Sequence, residues 1–337
     1  MSMPLQMPYG FDRILTRRQG STKAESFAEM TAEELNQHIH DGTIDEEVRV
    51  AEARQMKALS KIADIICGRP GIRLVLIAGG SSAGKTTTAK RICTQLRVNG
   101  RAALHLSTDD YFVGDARNPR DENGKLDYEH VECVDIPQLA SDVNALLRGD
   151  VVKRRRFDFV NHVPIFTDEP VSLRKGGFVV LEGIHALNPR LTEGIDDGCK
   201  FRVFVEPKPT LDVFGGITPR PTDIRFLRRM VRDNQFRKMN PVTTLEMWPN
   251  VLAGEQKWIE PFRGNADADF DSYLSYELAV LRPYVGGLLE RVRLEIGDQV
   301  FVISMIRLLE LVEPMSSVAV PGDSILRETI GGSLLEY

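Results

Sequence analysis

Cysteine is sparse in this sequence. The four residues, Cys67, Cys93, Cys133 and Cys199, lie far apart, with no CxxC pair and no cysteine–histidine cluster at zinc spacing. That argues against a zinc framework or a disulfide scaffold and favours free thiols in a reducing compartment. No apolar run approaches the ~20 residues that span a bilayer, and the first 25 residues lack the apolar core of a secretory signal. A cytoplasmic protein with no membrane partner is therefore expected. The opening segment MSMPLQMPYGFDRILTRRQGSTKA, poor in acids and holding three arginines, reads at most as a weak organelle presequence. Positive charge is not in excess: 43 Lys and Arg against 48 Asp and Glu give a net charge of -5, so no global field attracts polyanions and any basic patch is local. Internal repeats and low-complexity tracts are missing. What remains, 42% hydrophobic and 27% charged, is the composition of a globular protein able to bury a sizeable core.

Helical spacing of Ile44, Val48, Ala51, Leu59, Ile62 and Ile66 predicts a helix from Thr43, with Thr43 and Glu46 as a capping box and Gly68 and Pro70 as the stop. It leads into a buried strand, RLVLIAG (73–79). AALHLS (102–107), GFVVLEG (177–183) and FRVFVE (201–206) read as further buried strands, and helical patterns fall near 85–98, 136–147, 223–236 and 275–292. Such alternation implies an α/β fold with a parallel sheet and helices on both faces, whose ligands gather at the carboxyl ends of the strands.

The strongest motif follows the first strand. Gly79, Gly80, Ser81, Ser82, Ala83, Gly84, Lys85, Thr86 and Thr87 contain the G-x-x-x-x-G-K-[ST] phosphate loop. Its glycines let successive N–H groups turn inward toward phosphate oxygens, and the helix that follows adds the positive end of its dipole. Lys85 would bridge the β- and γ-phosphates of ATP, and the Thr86 hydroxyl would hold Mg²⁺. The pattern should arise by chance in about one random chain of this length in a hundred, and its place between strand and helix makes chance rarer still.

Two strands end in carboxylates at the same edge. STDDYF places Asp109 and Asp110 there, where a carboxylate can take a proton from an attacking hydroxyl and help position Mg²⁺; Glu182 ends GFVVLE as a second metal-side group. Without the phosphate loop, Asp109 and Asp110 would read as ordinary helix N-cap or loop aspartates, and Glu182 would equally suit a solvent-facing strand end. The run TDIRFLRRMVRDNQFRK sets Arg225, Arg228, Arg229, Arg232 and Arg237 at helical spacing. It reads either as a mobile arginine face that stabilises a loose phosphoryl transition state or as a solvated face paired with Asp223 and Asp233. The preference for Arg over Lys favours phosphate recognition.

In this order, GGSSAGKTT, STDDYF, DYEHVECVD, RRFDFVNH, LEGIHAL and DIRFLRRMVRD resemble the uridine kinase/phosphoribulokinase family of P-loop kinases, and PRDENGKLDYE, LNPRLT and SILRETIGGS resemble a bacterial-type uridine-kinase-related branch of it. The resemblance implies a P-loop NTPase-type sheet with a small substrate-covering β-hairpin and an arginine-rich lid helix. It assigns catalytic roles to Asp109, Lys85, Arg228 and Arg232, and Mg²⁺ to Thr86, Asp109 and Glu182. Tyr128, Glu129, Phe157, His162, Arg225 and Arg237 fall on the substrate side. Glu129 stands where the family's FDHPDAFD-like segment has its ribose-binding aspartate, and Phe157 where the YDFVSH segment has tyrosine, keeping a stacking face without the hydroxyl. Branch members often carry an upstream region resembling part of threonyl-tRNA synthetase, and the segment here is expected to hold only its kinase-proximal helix.

The expected organisation is an extension at 1–70, a kinase domain at 71–275 and a C-terminal helical extension at 276–337. The expected reaction is ATP- and Mg²⁺-dependent phosphorylation of the 5′-hydroxyl of a pyrimidine nucleoside, uridine or cytidine. The alternatives are another hydroxylated acceptor, such as a sugar phosphate or modified nucleoside, and a non-catalytic or RNA-associated regulator. Nucleic acid is not an expected partner, because KRRRFDFVNHV (153–163) joins its cations to what reads as a nucleoside-side loop; a homo-oligomer, dimer or tetramer, stays open.

Overall fold

The structure is a computed structural model that describes residues 30–122 and 124–336 and the backbone of 16–17. The opening segment read as a presequence otherwise lies outside the described residues. By compactness the chain forms two units, each discontinuous: one from Met1–Ala53, Pro207–Glu246 and Tyr273–Leu334, the other from Arg54–Glu206, Met247–Ser272 and the last three residues. The expected division at residues 70 and 275 runs sequentially, whereas compactness joins the N-terminal segment to α-helical segments far along the chain.

In the first unit, a short ladder pairs β1 (Thr16–Arg17) with a strand at 217–218. Helix α1 (Ala32–His40) starts with a capping box in which the Thr31 side chain accepts from the Glu34 amide and Glu34 reaches back to the Thr31 amide. The sequence reading missed this box and placed one a helix later. Helix α2 (Ile44–Gly68) does begin after Thr43, but the Thr43 hydroxyl lies 2.8 Å from His38 Nδ1 and Glu46 pairs with Arg49 at 2.6 Å. Both side chains are drawn to nearer partners, so the expected box at Thr43 and Glu46 gives way.

The second unit holds the sheet. Strand β2 (Leu74–Ala78) is completely buried, as a strand of continuous apolar residues must be when covered on both faces. Helix α3 (Lys85–Val98) follows it, then β3 (Ala103–Ser107) and α4 (Ile136–Arg148), capped by the Asp135 side chain at the Gln138 amide. Strands β4 (Val151–Asp158) and β5 (Val163–Ser172) form an antiparallel hairpin with a register shift between Lys153 and Arg155. Strands β6 (Phe178–Glu182) and β7 (Lys200–Glu206) return to the main sheet. With β8 (Ile217–Thr218) completing the small ladder and β9 (Ala268–Asp271) the edge, the main sheet has the order β3-β6-β2-β7-β9, all neighbours parallel. Leu74, Leu76, Val179, Leu181, Leu139 and Val143 belong to the apolar core packed against it.

The arginine-rich segment is α5 (Pro221–Phe236) of the first unit, followed by α6 (Pro241–Trp258), α7 (Glu277–Ile296), α8 (Val300–Glu310) and α9 (Arg327–Ile330). Helix α5 is buried from Asp223 to Val231. Arg228 lies in a two-pronged ion pair with Glu277, Nε to Oε1 at 3.0 Å and Nη2 to Oε2 at 2.6 Å, with both side chains almost fully enclosed. Buried Asp233 draws Arg229, Arg232 and Arg237 to within 3.2–3.3 Å. Burial pushes the Asp233 carboxyl up, but the three guanidinium charges outweigh it and leave the carboxyl below its ordinary range. Arg225 is buried as well.

Candidate active site

The phosphate loop leaves the carboxyl end of β2 under tight constraint. A side chain at Gly79 would overlap the Val205 carbonyl oxygen of neighbouring β7, so only glycine allows the loop to start this close to the sheet. Ser82 (φ 59°) and Gly84 (φ 89°) adopt left-handed backbone, which curls the loop into the N-terminus of α3. For a serine that conformation is uncommon, and it is held here by burial of Ser82 and Ala83. Thr88 Oγ1 donates to the Gly84 carbonyl at 2.8 Å and Ala83 N to the Gly80 carbonyl at 3.1 Å, tying the loop to itself. Thr87 is fully buried. The Lys85 ammonium donates to the Gly80 carbonyl at 3.0 Å across the loop.

Next to the loop, the Thr86 hydroxyl donates to Glu182 Oε1 at 3.2 Å. Glu182 is 3% exposed, which rules out the solvent-facing strand end. Parallel register sets Glu182 level with Ile77 of β2 on one side and Ser107 of β3 on the other, and Asp109 follows two residues later with its amide on the Ser107 hydroxyl at 3.3 Å. Gly183 is needed here too, since a side chain would collide with buried Thr108 and push apart the turns that carry the two carboxylates. Glu182 thus ends β6, Asp109 lies in the turn just after neighbouring β3, and Thr86 reaches Glu182 from the first turn of α3.

Two ionisable groups at this edge are displaced. The Asp110 carboxyl is pushed up to about 6, first by burial and then by the Asp109 charge beside it. His105, which the sequence reading overlooked inside an apolar strand, lies with Nε2 3.9 Å from Glu182 Oε1. Burial, reinforced by the charges of Lys90 and Arg154, pulls its imidazole down to about 4, so Glu182 has a neutral ring beside it at physiological pH.

The acceptor-side residues form two groups. Tyr128 and His162 meet with ring centroids 5.5 Å apart, and Asp115 links them: its Oδ1 accepts from the Tyr128 hydroxyl at 2.9 Å and lies 3.7 Å from His162 Nδ1. Burial, then Asp115, pushes the Tyr128 hydroxyl up to about 12, which keeps it protonated as a donor. His162 has φ 54°, and Gly114 is the residue that lets its carbonyl come close, because a side chain at 114 would meet the His162 oxygen at 2.9 Å. Phe157, by contrast, joins Phe112 and Phe159 in an edge-to-face trio, with centroids 5.2–6.3 Å apart. Glu129 packs against Gly254 of α6, where any side chain would overlap it, and the backbone amide of Glu129 is held by Asp127 at 3.1 Å. Asp115 was missed in sequence because a lone loop aspartate has no spacing signature.

The cations of the basic stretch find partners along the hairpin and beside it. Lys153 pairs with Asp168 at 2.6 Å, Arg154 with Glu169 at 2.8 Å, and Arg155 lies 3.5 Å from Asp142 and over the Phe166 ring. Each of these three cations thus has a carboxylate within 3.5 Å, and Arg156 shares Glu169 at 3.6 Å. Among the described residues, no helix is long and apolar enough to cross a membrane, and no three His, Cys, Asp or Glu side chains cluster as a metal site on their own.

The model of the Phosphoribulokinase / Uridine kinase family matches residues 74–278. A uridine kinase from Deinococcus deserti is 29% identical over 192 residues, 57% of this chain and 83% of the relative. One from Bacillus cereus is 30% identical over 193 residues, covering 57% of this chain and 81% of the relative. Among solved structures, a possible uridine kinase from Bacillus stearothermophilus aligns over 65% of this chain and 100% of its own, at 19% identity and a TM-score of 0.42.

Proposed function

Because the chain belongs to the phosphoribulokinase/uridine kinase family and is a P-loop kinase that phosphorylates a hydroxyl, we propose that its acceptor is the 5′-hydroxyl of a pyrimidine nucleoside, uridine or cytidine, and its phosphoryl donor ATP. The observation that carries phosphoryl transfer in this reading is the joining of Thr86 to Glu182 at the mouth of the phosphate loop, with Asp109 just past the adjacent strand end, while the acceptor is supported by the likeness to uridine kinases. The loop amides from Gly80 to Thr86 and the Lys85 ammonium hold the β- and γ-phosphates. Asp109 takes the proton of the acceptor hydroxyl as its oxygen attacks the γ-phosphorus and the bond to the β–γ bridging oxygen breaks, giving ADP and the nucleoside monophosphate. Thr86 and Glu182 offer the hard oxygen donors that Mg²⁺ takes and would hold it, with Asp109 beside them; the ion would offset phosphate charge.

On the acceptor side, Tyr128 and His162 are the proposed base contacts, with Asp115 aligning them, and Glu129 the proposed partner of the ribose hydroxyls. Packing of Phe157 into the Phe112–Phe159 trio favours an indirect role for it, shaping the pocket wall rather than stacking freely. Asp109→Asn should leave ATP affinity nearly intact and lower turnover about a hundredfold or more. Wild-type turnover by that variant removes Asp109 from the mechanism. A panel of nucleosides and sugar phosphates with labelled ATP tests the acceptor; transfer confined to sugar phosphates would refute the nucleoside reading while leaving the kinase intact.

A further inference from the structure

The phosphate loop is already engaged by an anion of this chain. Glu255, on the last turn of α6 and 8% exposed, accepts a hydrogen bond from the Ser81 amide at 3.0 Å through Oε1. Ser81 lies in the middle of the curl between Gly79 and Lys85, where backbone N–H groups turn inward toward negative charge. A carboxylate offers the same recognition features as a phosphate edge: two oxygens and a negative charge. One N–H cannot serve both at full strength, and a carboxylate next to incoming phosphate oxygens also repels them.

The same turn of α6 touches the acceptor side. Gly254 is packed so closely on Glu129 that no side chain fits between them, and the Trp258 ring meets the His130 ring edge-on at 4.4 Å. Buried His185 sits near the backbones of both Trp258 and Glu129, its ring kept neutral because burial draws it down to about 4. A shift of Glu255 therefore moves groups that bear on Glu129 and His130.

We propose that Glu255 is a built-in competitor of the triphosphate: it holds the Ser81 amide, gives it up when a nucleotide with β- and γ-phosphates enters, and passes that displacement through Gly254 and Trp258 to the acceptor segment at 129–130. This rests on the loop as a nucleotide site and not on the identity of the acceptor.

The test is calorimetric titration of the full chain with Mg²⁺·ATP and with AMP, in the absence of acceptor, for wild type and Glu255→Gln. The amide keeps the shape and an accepting oxygen but loses the charge. ATP should bind about tenfold more tightly to the variant, equivalent to about 1.4 kcal/mol, with AMP affinity unchanged. With Trp258 as sole reporter in a Trp248→Phe background, ATP should change its emission in the wild-type loop, and by much less in Glu255→Gln. Equal or weaker ATP binding by a Glu255→Gln protein that melts like wild type overturns the proposal, as does an equal gain for AMP. Failure of the wild-type chain to bind ATP would instead overturn the kinase reading.

Discussion

Arg228 and Glu277 give the sharpest quantitative prediction. Two hydrogen bonds of 3.0 and 2.6 Å join the side chains, both are almost fully enclosed, and Glu277 also accepts from the Leu274 amide at 3.0 Å. Replacing Glu277 by Leu takes away the carboxylate that neutralises a buried guanidinium, which costs about 3–5 kcal/mol, and frees a buried N–H that adds about 1–3 more. At about 2–4 °C per kcal/mol for a unit of this size, melting should fall by roughly 10 °C or more. Arg228→Met should be nearly as harmful, because it strands the carboxylate. The double variant Arg228→Met/Glu277→Leu should recover most of the loss, since two apolar side chains need no partner. Thermal melts by circular dichroism give the cycle, and hydrogen exchange in α5 and α7 locates it. Single variants that melt within a degree of wild type, or a double variant whose loss is the sum of the two, would refute the reasoning. Turnover of the folded double variant separately tests the catalytic role expected of Arg228.

Three further outcomes are expected. Asp110 has a folded-state pKa of about 6, above its ordinary value, so its contribution to stability is complete in acid and is lost as pH rises from about 4 through about 6. Asp110→Asn should therefore melt higher than wild type at pH 8 and alike at pH 4; a gain confined to pH 4 would reverse the sign. Thr86→Ala removes the hydroxyl on Glu182 and should raise the Mg²⁺ concentration needed for half-maximal turnover about 10–100-fold, measured by metal titration. Tyr128→Phe breaks the 2.9 Å bond to Asp115 and should raise the KM for the acceptor about fivefold with kcat little changed; an unaltered KM would take Tyr128 out of acceptor binding.

The elements that carry their own periodicity were legible. Strands at 74–78, 103–107, 178–182 and 200–206 and helices at 85–98 and 136–148 lie within a few residues of the reading, because continuous apolar runs and helical spacing are strong signals; the strand at 103–107, expected to be buried, is half-buried at the edge of the sheet. The phosphate loop was legible because glycine, lysine and threonine are each required at a fixed step. Helix α6 was not anticipated: it contains Pro249 and has little amphipathic contrast, so its pattern never rose above loop. With it went Glu255, whose partner Ser81 is 174 residues away. The arginine segment was legible as a helix, and its pairing with Asp223 and Asp233 was one of its two readings, but spacing shows which residues share a side and not that Glu277, 49 residues on, is buried there to receive Arg228. His105 and Asp115 share that cause: their neighbours are set by sheet register and loop packing, which local sequence does not encode.

The Arg228–Glu277 pair also has a meaning in time. A ribosome adds about 5–20 residues each second, so α5 emerges with its guanidinium hydrated and waits several seconds for Glu277 to be made. The sheet of the second unit lies mostly upstream of α5 and has only β9 still to come, whereas the unit that holds α5 needs chain as far as Leu334. Synthesis thus completes the kinase sheet before the unit that holds α5, and a chain truncated between the end of β9 and Glu277 should have all its sheet strands and an α5 without the carboxylate that seats it.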